Sequence, residues 1–456
     1  MVKHVLVLDL VCLTLDHLAN RDETPTLNAL RDRGYGVPLR PPFPAVTCTS
    51  QATLTTGASP REHGVVCNGL FERDRFAIRF WDQPTCMVKR PKVWQMLRER
   101  DPEATTALLF FQNTMFADAD IVVTPAPIHL DEGLVPWCYS KPVGFYEQLV
   151  ERQGAFQLPW YWGPLAGVKA SEWIADATLN TLEMHRPTLT FAYLPHLDYN
   201  TQRFGANSPQ FHADLKALDG IVARILDGLN RLGMRDDTAV VLLSEYAMTD
   251  VSRPVMLNRE LRQRGLLDVR TIGDHEYLDI ELSPAVAMVD HQMAHVLIKP
   301  GREAEVRAAL ESIPGVERVL DREGQRALEI DHPSSGELIA VAEADAWFSY
   351  YWWLDDALAP PYARQIDIHR KPAYDPVELF FDPATKSIPL KPELVRGSHG
   401  RPPDLESRRP ALIVAGARAA LTPRPPLPDA EEGRTADELD MRAVPDVILG
   451  LLDKAW

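Results

Sequence analysis

Short, unbroken apolar runs, separated by stretches with helical spacing, constrain this chain more than any other feature. They are HVLVLDL (4–10), TALLFF (106–111), DIVVT (120–124), TLTFAYL (188–194) and AVVLLS (239–244). Runs of that length without polar alternation suit strands buried on both faces, as in a mostly parallel sheet covered by helices. Between them lie TPTLNALRDRG (24–34), PKVWQMLRER (91–100), SEWIADATLNTLEMH (171–185) and SPQFHADLKALDGIVARILDGLNRLG (208–233). These place apolar residues three and four apart, and several close on Gly, Arg or His, as helices do. The alternation predicts an α/β fold: a mostly parallel central sheet with helices on both faces.

At 456 residues the chain can bury a large core, and a change of texture after residue 250 divides it. Residues 1–250 read as the α/β core. Residues 251–390 read as a mixed-strand and cap insertion. It includes a helix-plus-strand unit, REAEVRAALESIPGVERVLDREG, and the aromatic, acidic SSGELIAVAEADAWFSYYWWLDD. Residues 391–456 return to the core with GSHG, a Pro-rich loop around the strand ALIVAG (401–433), and a closing helix in VPDVILGLLDKAW.

The net charge of −16 argues against a nucleic-acid duplex as partner, since such proteins carry a basic field. A small anionic substrate stays open, because bound metal ions reverse the local potential. The five cysteines form no CxxC and read as reduced thiols. Asp9 interrupts the N-terminal apolar stretch, which reads as a first strand rather than a signal peptide. No run reaches membrane-spanning length, so a cytoplasmic location without a membrane partner is the expectation. The oligomeric state is not legible.

Four residues carry chemistry. Asp9 closes the first run, and Asp198 in PHLDYNTQ follows the fourth. Thr47 lies in FPAVTCTSQATLTTG, just before an expected helix, and His399 lies in GSHG. Strand ends of an α/β sheet converge on one edge, where ligands gather. Two carboxylates, a hydroxyl and an imidazole brought to that edge make a divalent-metal site containing a nucleophile. A helix start beside Thr47 also attracts anions. The blander readings are a capping aspartate at position 9, an N-cap at Thr49 or Ser50, and a packed Cys48.

FPAVTCTSQATLTTG followed by REHGVVCNG resembles the nucleophile region of the type I phosphodiesterase/nucleotide pyrophosphatase family, within the alkaline phosphatase superfamily. The resemblance implies an alkaline-phosphatase-like sandwich with an inserted cap. It puts Thr47 on the nucleophile, which also touches metal, and Asn68 on the residue that donates to a phosphoryl oxygen. It further implies two divalent ions, typically zinc. One would be held by Asp9, Glu245 and Tyr246, the other by Asp198, Gln202 and His399. The chain departs from the family at three of these positions. PHLDYNTQ has Gln202 where His is expected, and LLSEYAM has Glu245 and Tyr246 where Asp and His are expected. Those exchanges shift the donors toward oxygen, which suits manganese, magnesium or iron.

The implied activity is metal-dependent hydrolysis of phosphoesters or phosphodiesters through a covalent phosphothreonine at Thr47. The alternatives are a phosphonate (C–P) hydrolase on the same core, or a catalytically degenerate member that binds metal or ligand. Asp290, His291 and His295 in AVAMVDHQMAHVLIK are candidate replacement ligands, with the two histidines on one face of a strand. His369, Arg370 and Lys371 in DIHRKPAYDP form a candidate cationic clamp on the substrate. The plainer readings are core histidines and a solvated loop anchored by Pro372 and Tyr374.

Overall fold

The computed structural model describes residues 2–130, 133–402, 409–416 and 438–453. Most of the Pro-rich 401–433 stretch and the end of the expected closing helix lie outside the described residues.

The main-sheet strands are β1 (His4–Leu10), β2 (Tyr35–Arg40), β3 (Thr106–Leu109), β4 (Ile121–Pro125), β5 (Cys138–Lys141), β6 (Leu189–Leu194) and β7 (Thr238–Leu243). A second sheet uses β8 (Ala285–Asp290), β9 (Met293–Ile298), β10 (Val316–Leu320) and β11 (Leu338–Ala342). The chain then returns to the main sheet with β12 (Ala411–Ala415) and β13 (Leu439–Asp440). The main sheet has nine strands in the order β13-β2-β12-β7-β1-β6-β3-β4-β5. β1 pairs in parallel with β6 and β7, and β6-β3-β4 continue in parallel, whereas β12 and β5 run antiparallel to their neighbours. Each of the five apolar runs is one of these strands. β1, β6 and β7 are buried almost throughout because helices cover both faces.

The helices that matter for the site are α1 (Pro25–Arg33), α2 (Thr47–Thr56), α3 (Val93–Arg100), α4 (Val168–His185), α5 (His196–Phe204), α6 (Pro209–Arg231) and α7 (Val444–Leu452). Every residue of α2 is buried, which explains why it carries Thr, Ser, Cys and Gln but no charge. A charge there would need a partner to offset its desolvation.

The second sheet, β8-β9-β11-β10, is antiparallel throughout and has its own apolar cluster. Into that cluster go Tyr350, Tyr351, Trp352 and Trp353, each at most 1% exposed, so the aromatic run is core rather than a pocket mouth. AVAMVDHQMAHVLIK is not one strand but a hairpin, β8-β9. His291 sits in its turn with φ 59°. This corrects the expectation that His291 and His295 share a strand face. No helix among the described residues is long and apolar enough to cross a membrane.

Candidate active site

Parallel register fixes the site's floor. Asp9 lies level with Tyr193 of β6 and Leu243 of β7, so the segments leaving those strands emerge beside it. The first brings Asp198 on α5, the second Glu245 and Tyr246. α2 enters from the side with Thr47 as its first residue. The hairpin turn delivers His291, and GSHG delivers His399. A cavity of about 950 Å³ opens over this edge, and its lining includes Thr47, Asp198, Tyr246, His291, Trp162 and Tyr374.

Asp9 and Glu245 are both fully buried. The Gln51 amide nitrogen bridges them, 2.5 Å from Glu245 Oε1 and 3.4 Å from Asp9 Oδ2. Its orientation is fixed from behind, because the backbone N–H of Gln112 donates to Gln51 Oε1 at 2.7 Å. The other two oxygens, Asp9 Oδ1 and Glu245 Oε2, are buried without a partner. Burial raises the Asp9 carboxyl to about 7, against the lowering effect of Glu245 and Gln51. Glu245 is pushed well above the usual range, first by burial and then by the Asp9 charge. The Thr47 side chain lies close to Glu245 and, like Gln51, lowers its carboxyl against burial and Asp9.

Asp198 sits in different surroundings. Its Oδ2 accepts from Gln202 Nε2 at 2.5 Å, and its Oδ1 from Tyr246 Oη at 3.2 Å and, weakly, from Cys12 Sγ at 3.7 Å. Gln202 Oε1 in turn accepts from Tyr374 Oη at 2.9 Å. Burial lifts Asp198 to about 6 despite these donors. Four rings form a column alongside, stacked at its two ends and tilted by 37° between His399 and His291. Tyr246 lies on His399 at 3.5 Å and 7°, His399 on His291 at 3.6 Å, and His291 on Tyr374 at 3.9 Å. His399 Nδ1 bonds the Ala45 carbonyl at 2.7 Å, while Nε2 has no partner. Burial holds the His399 imidazole down to about 3, against that carbonyl, and pushes His291 well below its usual value.

Asn68 braces the turn that carries Thr47. Its Oδ1 accepts from Cys48 N at 2.9 Å, and its Nδ2 and backbone N–H both donate to Asp290, at 3.1 and 2.8 Å. It lines a small cleft beside the start of α2 rather than the large cavity. Asp290, which burial raises to about 7, faces Asn68.

Two expected site residues lie elsewhere. Lys371 is fully buried, 2.8 Å from Asp375 and 2.6 Å from Glu378, so its charge is spent inside the cap and cannot clamp a substrate. His295 is also fully buried. Its Nε2 bonds Val66 O and its Nδ1 accepts from Gly336 N, both at 3.2 Å, which leaves neither nitrogen for a metal. His369 and Arg370 do line the cavity, but Arg370 is paired with Asp367 and its positive field is partly cancelled. Gln51 was not singled out in the sequence. It stands four residues after Thr47, one helical turn on, and that spacing was the available signal.

The model of the family described as type I phosphodiesterase/nucleotide pyrophosphatase matches residues 5–375. The chain belongs to this family. An uncharacterized pyrophosphatase/phosphodiesterase of Schizosaccharomyces pombe is 25% identical over 256 residues, 54% of this chain and 45% of the yeast protein. Rat ectonucleotide pyrophosphatase/phosphodiesterase family member 1 is 22% identical over 247 residues, 52% of this chain but 23% of its own length. The match thus spans less than half of either relative. Among solved structures, murine ectonucleotide pyrophosphatase/phosphodiesterase 5, as an inactive threonine-to-alanine variant with AMP, is similar. It has a TM-score of 0.61 at 16% identity, covering 99% of this chain and 95% of that one. Phosphonoacetate hydrolase of Sinorhizobium meliloti, in complex with phosphonoformate, gives 0.61 at 17%, covering 99% and 96%. These likenesses establish the shared alkaline-phosphatase-like fold.

Family members typically carry two zinc ions, and the donors here fit that pair unequally. Among the described residues no group of three or more His, Cys, Asp and Glu could hold a metal ion. Asp9 and Glu245, with the Thr47 alcohol as third donor, offer unpartnered oxygens where a first ion would bind. The Asp198 position offers one unpartnered atom, His399 Nε2.

Proposed function

We propose that this family member hydrolyses phosphoesters or phosphodiesters with Thr47 as the nucleophile. The observation that carries the reading is the placement of Thr47. It opens a buried helix, lines the large cavity and interacts with Glu245. The positive end of α2 favours a phosphoryl group beside its first residue. In the first step the Thr47 Oγ–P bond forms and the bond to the leaving alcohol breaks. The hydroxyl proton passes to Glu245 in its carboxylate form, which a bound cation would favour, and the departing alkoxide takes a proton from water. Water then attacks phosphorus and releases Thr47. Asn68 acts as a positioning residue: it holds the Cys48 N–H and is itself held by Asp290, which fixes the start of α2 beside Thr47. A divalent ion held by Asp9 and Glu245 would supply Lewis acidity next to the Thr47 oxygen.

Trp81, Tyr161, Trp162, Tyr193, Leu158 and Ile366 line the cavity, which favours esters with a bulky, flat or apolar substituent over a small phosphonate. The test is release of nitrophenol from bis(p-nitrophenyl) phosphate, with acid-quench mass spectrometry of the peptide bearing Thr47. Turnover with a phosphoryl adduct on Thr47, absent in Thr47→Ala, supports the reading. Undiminished turnover in Thr47→Ala refutes it.

A further inference from the structure

We infer that this site takes a single divalent cation, between Asp9 and Glu245 beside Thr47, and that hydrogen bonds have closed the Asp198 position to metal. The inference rests on the proposed hydrolase reading for the site's role. Its test counts bound metal, so the two can fail separately.

A metal ion needs lone pairs pointed at one place, and hydrogen bonds already take most of those of Asp198. Gln202 Nε2 holds Oδ2, while Tyr246 Oη and Cys12 Sγ converge on Oδ1. These donors are not free to swing away. Tyr374 Oη donates to Gln202 Oε1, which fixes the amide with its nitrogen toward Asp198. The Tyr246 ring lies flat on His399, so moving its hydroxyl means breaking the stack. Tyr374 is held in turn against His291. The ring column and the polar chain Tyr246–Asp198–Gln202–Tyr374 therefore close on each other. What remains is one lone pair of Asp198 Oδ2 and His399 Nε2, fewer than the three protein donors that a zinc ion takes.

The Asp9 position is the converse. Gln51 takes one oxygen from each carboxyl and, fixed by the Gln112 N–H, cannot turn to take the others. Asp9 Oδ1 and Glu245 Oε2 remain fully buried with no hydrogen-bond donor from any other side chain or backbone group, and the two carboxyls face each other across the gap. Burial of such oxygens is costly until a cation or proton meets them. An oxygen set of two carboxylates and an alcohol favours manganese or magnesium over zinc.

The test equilibrates metal-stripped protein with manganese alone, and separately with zinc alone, then counts bound metal by plasma mass spectrometry after desalting. One ion per chain is expected. Either two or none overturns the inference. Asp198→Asn should keep one ion, and Asp9→Asn should keep none; the reverse pattern overturns it. The paired change Gln202→His with Tyr246→His, folded by circular dichroism, should raise the count to two. A count that stays at one would show that the hydrogen-bonded donors are not what excludes the second ion.

Discussion

Replacing Lys371 by Met tests the strongest correction that the structure makes to the sequence reading. The ammonium is fully buried and lies 2.8 and 2.6 Å from Asp375 and Glu378. Met keeps most of the side chain's apolar length, so the loss is electrostatic. Two buried carboxylates would remain. Asp375 keeps the Val377 N–H, and Glu378 keeps Trp162 Nε1 and the Asp367 N–H. Removing one partner of a buried ion pair costs about 3–5 kcal/mol, or roughly two to four powers of ten in the unfolding equilibrium. Burial already raises the Glu378 carboxyl, with Lys371 pulling it down, so the variant raises it further. A carboxyl whose folded pKa exceeds its unfolded value binds more protons when folded, so stability falls as pH rises between the two. The deficit should therefore be largest at about pH 8 and shrink toward about pH 5. Guanidinium unfolding followed by tryptophan fluorescence at both pH values reads it. Adding Asp375→Asn and Glu378→Gln should restore most of the loss. A deficit below about 1 kcal/mol at both pH values would refute the reasoning, since that is the worth of an exposed pair.

Three further outcomes follow from the site. Thr47→Ala should lower diester turnover by at least about three powers of ten, measured by nitrophenol release, because the attacking oxygen is gone. His295→Ala should cost about 2–4 kcal/mol in chemical unfolding, through its lost bonds and the cavity left behind, with bound metal unchanged; a drop in metal content would make it a ligand after all. Trp162→Ala removes a cavity wall and the indole bond to Glu378, and should raise KM for an aryl diester by about tenfold while a methyl diester changes little. Equal effects on both substrates would remove the indole from substrate contact.

The sheet was legible because β1, β6 and β7 are buried on both faces and carry uninterrupted Val, Leu and Ile. The hairpin β8-β9 was not, since DHQ in its turn carries no glycine. His291 takes the left-handed backbone there itself. At the site, motif spacing located Asp9, Thr47, Asp198 and His399 at one edge, but it could not show what each side chain faces. Lys371 and Arg370 are neighbours in sequence, yet one is sealed among carboxylates and the other lines the cavity. Whether a Gln or Tyr lends a metal its oxygen or gives Asp198 a proton depends on Tyr374, whose position is set by ring stacking.

Strand β12 sits between β2 and β7, paired with both. Its residues, 411–415, are made long after those of its neighbours. A nascent chain must therefore hold the edge of β7 unzipped until residue 415 has left the ribosome. Premature stops that remove β12 should leave a chain that cannot close its sheet, however intact every catalytic side chain upstream may be.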